Sequence, residues 1–237
     1  MSMRAIVRTT SFCALLVIAS TVAWADNAVM NFSSVSNPNG HWSYGMTPTL
    51  GGTFFFLPSG SCGALAGWAG SSTGTPPFIL GNSTGVPQLC GTGLDPSNLL
   101  DMHPGPNGEY SDVRWTWTAF SAGTIDISGL FEGIDPIGPT TTDVHILLNN
   151  VSIFNGVISS YNIPLPFSKV GEPVTFGSTV DFVVGWGADG SFLFDSTGFD
   201  ATITASATPE PTSILLLAPG VGVLGLAFRR KWLHEYR

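Results

Sequence analysis

Outside its two ends the chain has almost no positive charge. Six of its eight Lys and Arg residues are terminal: Arg4, Arg8, Arg229, Arg230, Lys231 and Arg237. The body keeps Arg114 and Lys169 against fourteen acids from Asp26 to Asp200, a net of −12. Neutralising phosphates takes clustered Lys and Arg, so nucleic acid is removed as a partner and docking on an anionic membrane surface is disfavoured. Cysteine is scarce as well. Cys13, Cys62 and Cys90 form no C-x-x-C pair and lie near no histidine at zinc spacing, which argues against metal ligation by these thiols. Helical periodicity is missing between the ends, because no stretch carries apolar residues at i, i+3, i+4 and i+7 for three turns. There is no G-x-S-x-G elbow, no H-E-x-x-H and no P-loop. A glycosidase needs only two facing carboxylates, and Glu109, Glu132 and Glu172 are available, but nothing in the sequence pairs them. The chain therefore reads as a non-enzyme.

What is present begins with two terminal signals. Arg4 and Arg8, an apolar run from Phe12 to Ala19, and Ala23-Trp24-Ala25 before Asp26 have the charged, apolar, small-x-small layout of a secretory signal peptide, with cleavage expected after Ala25. At the other end, Pro209-Glu210-Pro211 precedes an apolar run from Ile214 to Phe228 and then Arg229-Arg230-Lys231. That run falls short of the roughly twenty residues a straight helix needs to cross a bilayer core, and it contains Pro219. The basic cluster would hold the following end on the cytoplasmic side, leaving the body on the far side. The order of motif, apolar run and basic tail resembles the PEP-CTERM sorting signal, also labelled an ice-binding protein C-terminal domain, a label that implies no ice binding in the body. The resemblance implies recognition by an exosortase-type sorting enzyme and a transient stay in the inner membrane through residues 214–228. The tail is then removed near Pro209-Glu210-Pro211, and the protein is delivered to the cell surface or extracellular matrix. The resulting division is a signal peptide at 1–25, a body at 26–206 and a sorting segment at 207–237.

With Cys13 lost in the signal peptide, Cys62 and Cys90 remain in an oxidising compartment, which predicts a disulfide. Closing a loop of about thirty residues is worth roughly 3 to 4 kcal/mol in a chain-entropy model. The body is long enough for one domain with a sizeable core. Its short runs of β-branched and aromatic residues, bounded by Gly, Pro, Asn and Ser, read as an all-β sandwich or barrel. Val113, Trp115 and Trp117 share one face of a strand running to Phe120 and should be core. Thr124 to Phe131 should follow it as a hairpin, with Ile125 and Ile127 inward. Asp143 to Leu148 and Val151 to Val157 form a second hairpin around Asn149-Asn150, which tolerates the positive φ of a tight turn. Further strands are read at Val174–Phe176, Thr179–Trp186, Ser191–Phe194 and Ala201–Ala205. Earlier candidates are Val29–Val35, Trp42–Tyr44 and Thr53–Leu57. The segment from Ser59 to Pro87 is either a functional loop or a set of strands with no readable pattern. About ten strands without crossover helices predict an antiparallel two-sheet sandwich of jelly-roll type, flanked by an N-terminal signal helix and a C-terminal apolar sorting helix.

Four stretches carry a second resemblance: Asn37 to Gly45, His103 to Tyr110, Thr141 to Asn150, and Asp181 to Ile203 with Gly185-Trp186-Gly187 and Asp195-Ser196-Thr197-Gly198. They look like an exported bacterial module that often precedes such tails and is similar in layout to galactose-binding-like and carbohydrate-binding jelly rolls. The resemblance implies the fold and the compartment and no defined activity.

Candidate sites follow from chemistry. A sugar's apolar face stacks on a flat ring while Asn and Asp take its hydroxyls, so Trp42, Tyr44 and Trp186, placed near turns, are the candidate glycan contacts. A structural calcium ion is a further candidate, with Asp135, Asp189, Asp195 and Asp200 as turn ligands. Asp143 and His145 lie two apart on one face of a strand and can hydrogen-bond. The reading is an exported, non-catalytic, exopolysaccharide-associated binding protein; a polysaccharide hydrolase or lyase, or a structural adhesion protein, are the alternatives.

Overall fold

A computed structural model describes residues 23–138 and 140–207. The expected signal helix and sorting helix, with Pro209, Glu210, Pro211, Arg229, Arg230 and Lys231, lie outside the described residues. The strands are β1 (Ala23–Asn27), β2 (Trp42–Thr47), β3 (Phe55–Phe56), β4 (Ser59–Cys62), β5 (Leu65–Ala69), β6 (Phe78–Gly81), β7 (Gln88–Cys90) and β8 (Gly93–Asp95). They continue as β9 (Leu100–His103), β10 (Tyr110–Thr116), β11 (Gly123–Gly133), β12 (Asp143–Leu148), β13 (Val151–Val157), β14 (Pro164–Val174), β15 (Thr179–Gly185) and β16 (Thr197–Ala207). Among the described residues the one helical element is a 3-10 turn at Gly187–Asp189.

One sheet has the order β14-β11-β16-β9-β6-β5-β4, with β1 also beside β16; the other has the order β13-β12-β15-β10-β2-β3. Every strand pairing is antiparallel. From β9 onward the chain alternates between sheets, except that β12 and β13 are neighbours. The result is β9-β16-β11-β14 facing β10-β15-β12-β13, with the last strand closing against the first. Two Greek keys wound in this way are a jelly roll.

The core between the sheets follows from the period of two. Val113, Trp115 and Trp117 point inward from one sheet, and Ile125, Ile127, Phe131 and Phe199 from the other. Phe182 reaches across to Phe199, with ring centroids 4.9 Å apart. A second, smaller cluster of Leu65, Ala69, Phe78, Leu80 and Cys90 sits outside the first sheet. The β7–β8 hairpin roofs it, and a disulfide from Cys62 to Cys90 ties that roof to β4, with Cα atoms 5.6 Å apart.

Several strand expectations need correction. β10 and β11 are not a hairpin: β10 pairs with β2 and β15, and β11 with β14 and β16, because the connection at 117–122 crosses between sheets. Ser191–Phe194 is not a strand, and Phe194 has φ 70°. Val29–Val35 is turn and bend; Val174 ends β14 and begins no strand of its own. The Ser59–Pro87 segment contains three strands, β4, β5 and β6. The hairpin of β12 and β13 is present, with Asn149 and Asn150 at φ 51° and 65°. β1 begins at Ala23, so the cleavage expected after Ala25 falls within it.

Candidate functional site

The structure overturns two of the three aromatic glycan contacts. Trp42 and Tyr44 are 1% and 0% exposed, on the inner face of β2, so neither ring can meet a glycan. Their inward parity is fixed by register, since Trp42 lies opposite Trp115 and Tyr44 opposite Val113. Trp186 is half-buried past the end of β15, where its indole packs over Gly108 in the connection from β9 to β10.

A groove of about 390 Å³ lies on the outer side of the first sheet, at the end where β11 stops and β16 starts. Its floor and walls include Leu94, Leu99, Leu130 and Ile134, and its polar groups are Asn98, Glu132, Tyr161 and Asn162. Glu132 faces outward on β11, one position beyond inward-facing Phe131. Burial holds its carboxyl above the usual range. The Tyr161 ring is 42% exposed.

Two backbone attachments at the end of β11 fix the groove. On one side Gly133 bridges to Tyr161, and the Asn162 amide donates to the Gly133 carbonyl at 2.8 Å. A side chain at 133 would run into the Ser160 carbonyl, so glycine is what lets the 158–163 connection approach this closely. On the other side the Leu94 amide donates to the Ile134 carbonyl at 2.8 Å, and the Ile134 amide to the Ser196 carbonyl at 3.0 Å. The roof hairpin thus forms one wall and the 158–163 connection the other. Sequence reasoning missed Tyr161 because it lies outside any alternating strand pattern; its one local signal is the following Asn162, at φ 55°.

Behind this groove, buried acids are clustered. Asp101 on β9 and Asp95 on β8 lie under the roof. Burial pushes Asp95 up to about 6, and burial together with the Asp95 charge pushes Asp101 well above the ordinary carboxyl range. Ser196 Oγ donates to Asp101 at 3.4 Å. A second cleft of about 400 Å³ opens beside the disulfide, lined by Phe78, His103, Asp135 and Phe192 among others. His103 is driven down to about 4 by burial and donates from Nδ1 to the Pro104 carbonyl, so its ring is neutral at physiological pH.

The four calcium candidates do not come together as one set. Asp135 accepts from Thr92 Oγ1 and the Ile137 amide, and Asp200 from Asn27 Nδ2. Asp189 and Asp195 converge on Thr141 Oγ1, at 2.9 and 3.2 Å. Among the described residues no group of three or more His, Cys, Asp and Glu side chains is arranged to hold a metal ion. Burial raises Asp195 to about 7, outweighing its bonds from Thr141.

Asp143 and His145 are paired as their spacing implies, at 2.7 Å. His145 Nδ1 meets Asn155 Oδ1 at 2.7 Å. Burial alone would lower the His145 ring, but these bonds hold it above its usual value, and the same contact with the Gly187 amide keeps Asp143 low.

Residues 207–231 match the family model of the PEP-CTERM protein-sorting motif. The chain therefore carries a sorting signal of exported proteins that pass through the membrane to the cell surface. No curated protein matches the sequence. Among solved structures, the chain is similar to the CBM51 of Clostridium perfringens GH95 in complex with methyl-galactose, at 16% identity and a TM-score of 0.29 over 44% of this chain and 72% of that one. It is also similar to a family 35 carbohydrate binding module from an environmental isolate, at 18% identity and 0.29 over 46% and 79%. A family 35 module from Clostridium thermocellum matches at 13% identity and 0.30, over 53% and 85%.

Proposed function

We propose that this is an exported, exosortase-sorted surface protein whose jelly roll binds uncharged polysaccharide, without catalysis, in the groove between Leu94 and Tyr161. The observation that carries the reading is the groove itself. An exposed phenol ring stands over an apolar floor, with two amides and a carboxylate at its rim. Such a ring takes the C–H face of a sugar, while Asn98, Asn162 and Glu132 take its hydroxyls. Among the described lining residues Glu132 is the only acid, whereas glycosidic hydrolysis uses a facing pair. The choice of an uncharged ligand follows from electrostatics: with a body net of −12 and no Lys or Arg in the groove, an acidic polymer is repelled. Trp186 would serve as an outlying contact at the same end of the sandwich.

Aromatic stacking contributes about 1 kcal/mol, so Tyr161→Ala is expected to weaken binding about fivefold with the melting temperature unchanged. Affinity electrophoresis in gels containing neutral and acidic polysaccharides tests this. Retardation by a neutral polymer that is lost in Tyr161→Ala supports the reading. Unchanged mobility across the panel, or retardation indifferent to Tyr161, overturns it.

A further inference from the structure

The two ends of the sandwich differ in charge. At the groove end the loops carry Asp135, Asp189, Asp195 and Glu109. At the other end the turns at 117–124, 148–152 and 173–180, and the last strand from 201 to 207, contain no charged residue in a body that has fourteen acids. The acids that border these segments include Asp126, Glu172, Asp181, which is paired with Arg114, and Asp26, held by His41 Nδ1 at 2.6 Å and Trp115 Nε1 at 2.9 Å. On this uncharged end Phe120 and Phe176 are 88% and 60% exposed, their rings stacked 4.9 Å apart, with exposed Val151 at the neighbouring turn. An outward-facing phenylalanine pair with no polar partner is a contact surface, not a core element.

The chain's own connections say what it faces. Both flanks leave the sandwich here, because Ala23 pairs with Ser206 and Gly123 with Ala207. From Ala207 the chain reaches Ile214, the first residue of the apolar run, in seven steps, at most about 25 Å when fully extended. A body on so short a tether presents to the bilayer the end from which the tether emerges.

We propose that this end is a membrane-docking face: while the tail holds the protein in the bilayer, Phe120 and Phe176 enter the lipid interface. The inference rests on the sorting reading of the tail. Lipid headgroup regions accept aromatic side chains, and the absence of acids at this end removes the repulsion that the rest of the body would meet at an anionic surface. Docking orients the molecule, with the Tyr161 groove held away from the membrane.

The test uses the full chain carrying Cys13→Ser, reconstituted in phosphatidylcholine vesicles, with an environment-sensitive fluorophore on Phe120→Cys, on Phe176→Cys or, as the opposite-end control, on Asn107→Cys. Flotation of the full chain with the vesicles, compared with a chain ending at Ala207, reports insertion of the tail independently. In floating protein, labels at 120 and 176 are expected to shift to the blue and to be quenched several-fold by lipids carrying a nitroxide near the headgroup, while the label at 107 stays in water. Floating protein with labels 120 and 176 in water overturns the docking face and leaves the sorting reading intact. Protein that fails to float overturns the sorting reading, and the docking face with it.

Discussion

The melting temperature of the protein is expected to rise by about 10 °C as the pH is lowered from 8 to 5, the reverse of ordinary acid destabilisation. Five buried acids set the sign. Burial raises Asp95 to about 6 and Asp195 to about 7, places Asp101 and Asp112 well above the usual range, and raises Asp181 in spite of Arg114. A carboxyl whose folded pKa exceeds its unfolded value of about 3.9 binds its proton more tightly in the folded state. Its stabilisation is complete below about pH 4 and is lost as the pH climbs through the folded values, so the window runs from about 4 to 7 and beyond. His145, raised by Asp143 and Asn155, acts in the same direction, present below its unfolded value and lost above it. His103 opposes them, because its lowered value costs stability as the pH falls from about 6.5 toward about 4. Asp143 and Glu109 are lowered and weaken the fold only below the carboxylate range. Between pH 8 and 5 the net gain is a few kcal/mol, and each kcal/mol moves the midpoint by about 2 to 4 °C in a domain of this size. Calorimetry across pH decides the matter. A flat or falling midpoint would contradict the protonation states assigned to the Asp95–Asp101 pair and to Asp195, and Asp195→Asn should reduce the slope.

Arg114→Met is expected to cost about 3–5 kcal/mol at pH 7, the penalty for leaving buried charge without its partner. Arg114 Nε donates to Asp181 Oδ1, and its guanidinium lies 4.3 Å over the Phe54 ring. Asp112 and Asp181 are each 1% exposed on the same outer face of the second sheet, so without Arg114 both must be neutral or repel. The cost should be smaller at pH 5 than at pH 7, because burial raises both carboxyls above their usual range. Urea denaturation at the two pH values measures it, and a loss under about 1 kcal/mol, or one independent of pH, would show that the pair does not depend on the guanidinium.

How far the fold could be read from the chain depended on glycine and on topology. Val113, Trp115 and Trp117 were legible because alternation and burial agree along β10. The β12–β13 turn was legible because Asn149-Asn150 is one of the few pairs that accepts two positive φ values. β4, β5 and β6 were hidden because they are short and glycine-containing, with Phe32 packed over Gly67 and Gly81 where side chains would otherwise mark the alternation. β14 was hidden by Pro164, Pro166 and Pro173, which an edge strand tolerates and a central one does not. The β10–β11 error has another source. Local pattern reports that two strands are consecutive, and a jelly roll sends consecutive strands to opposite sheets. For the site, two of the three rings picked out from the sequence, Trp42 and Tyr44, were ones that the core had already taken. Tyr161 depends on Gly133 and on a connection between sheets, which no local window contains.

Among the described residues β16 is the last strand and also an interior one, with β11 along one side and β9 and β1 along the other. The first sheet therefore has no spine until residues 197–207 have been made and exported, and its closure joins positions as distant as Ala23 and Ser206. Pairings of that sequence separation form slowly. A truncation before Thr197 is therefore expected to leave this sheet as two separate pieces, β14 with β11 and β9 with β6, β5 and β4, and no native core between the sheets.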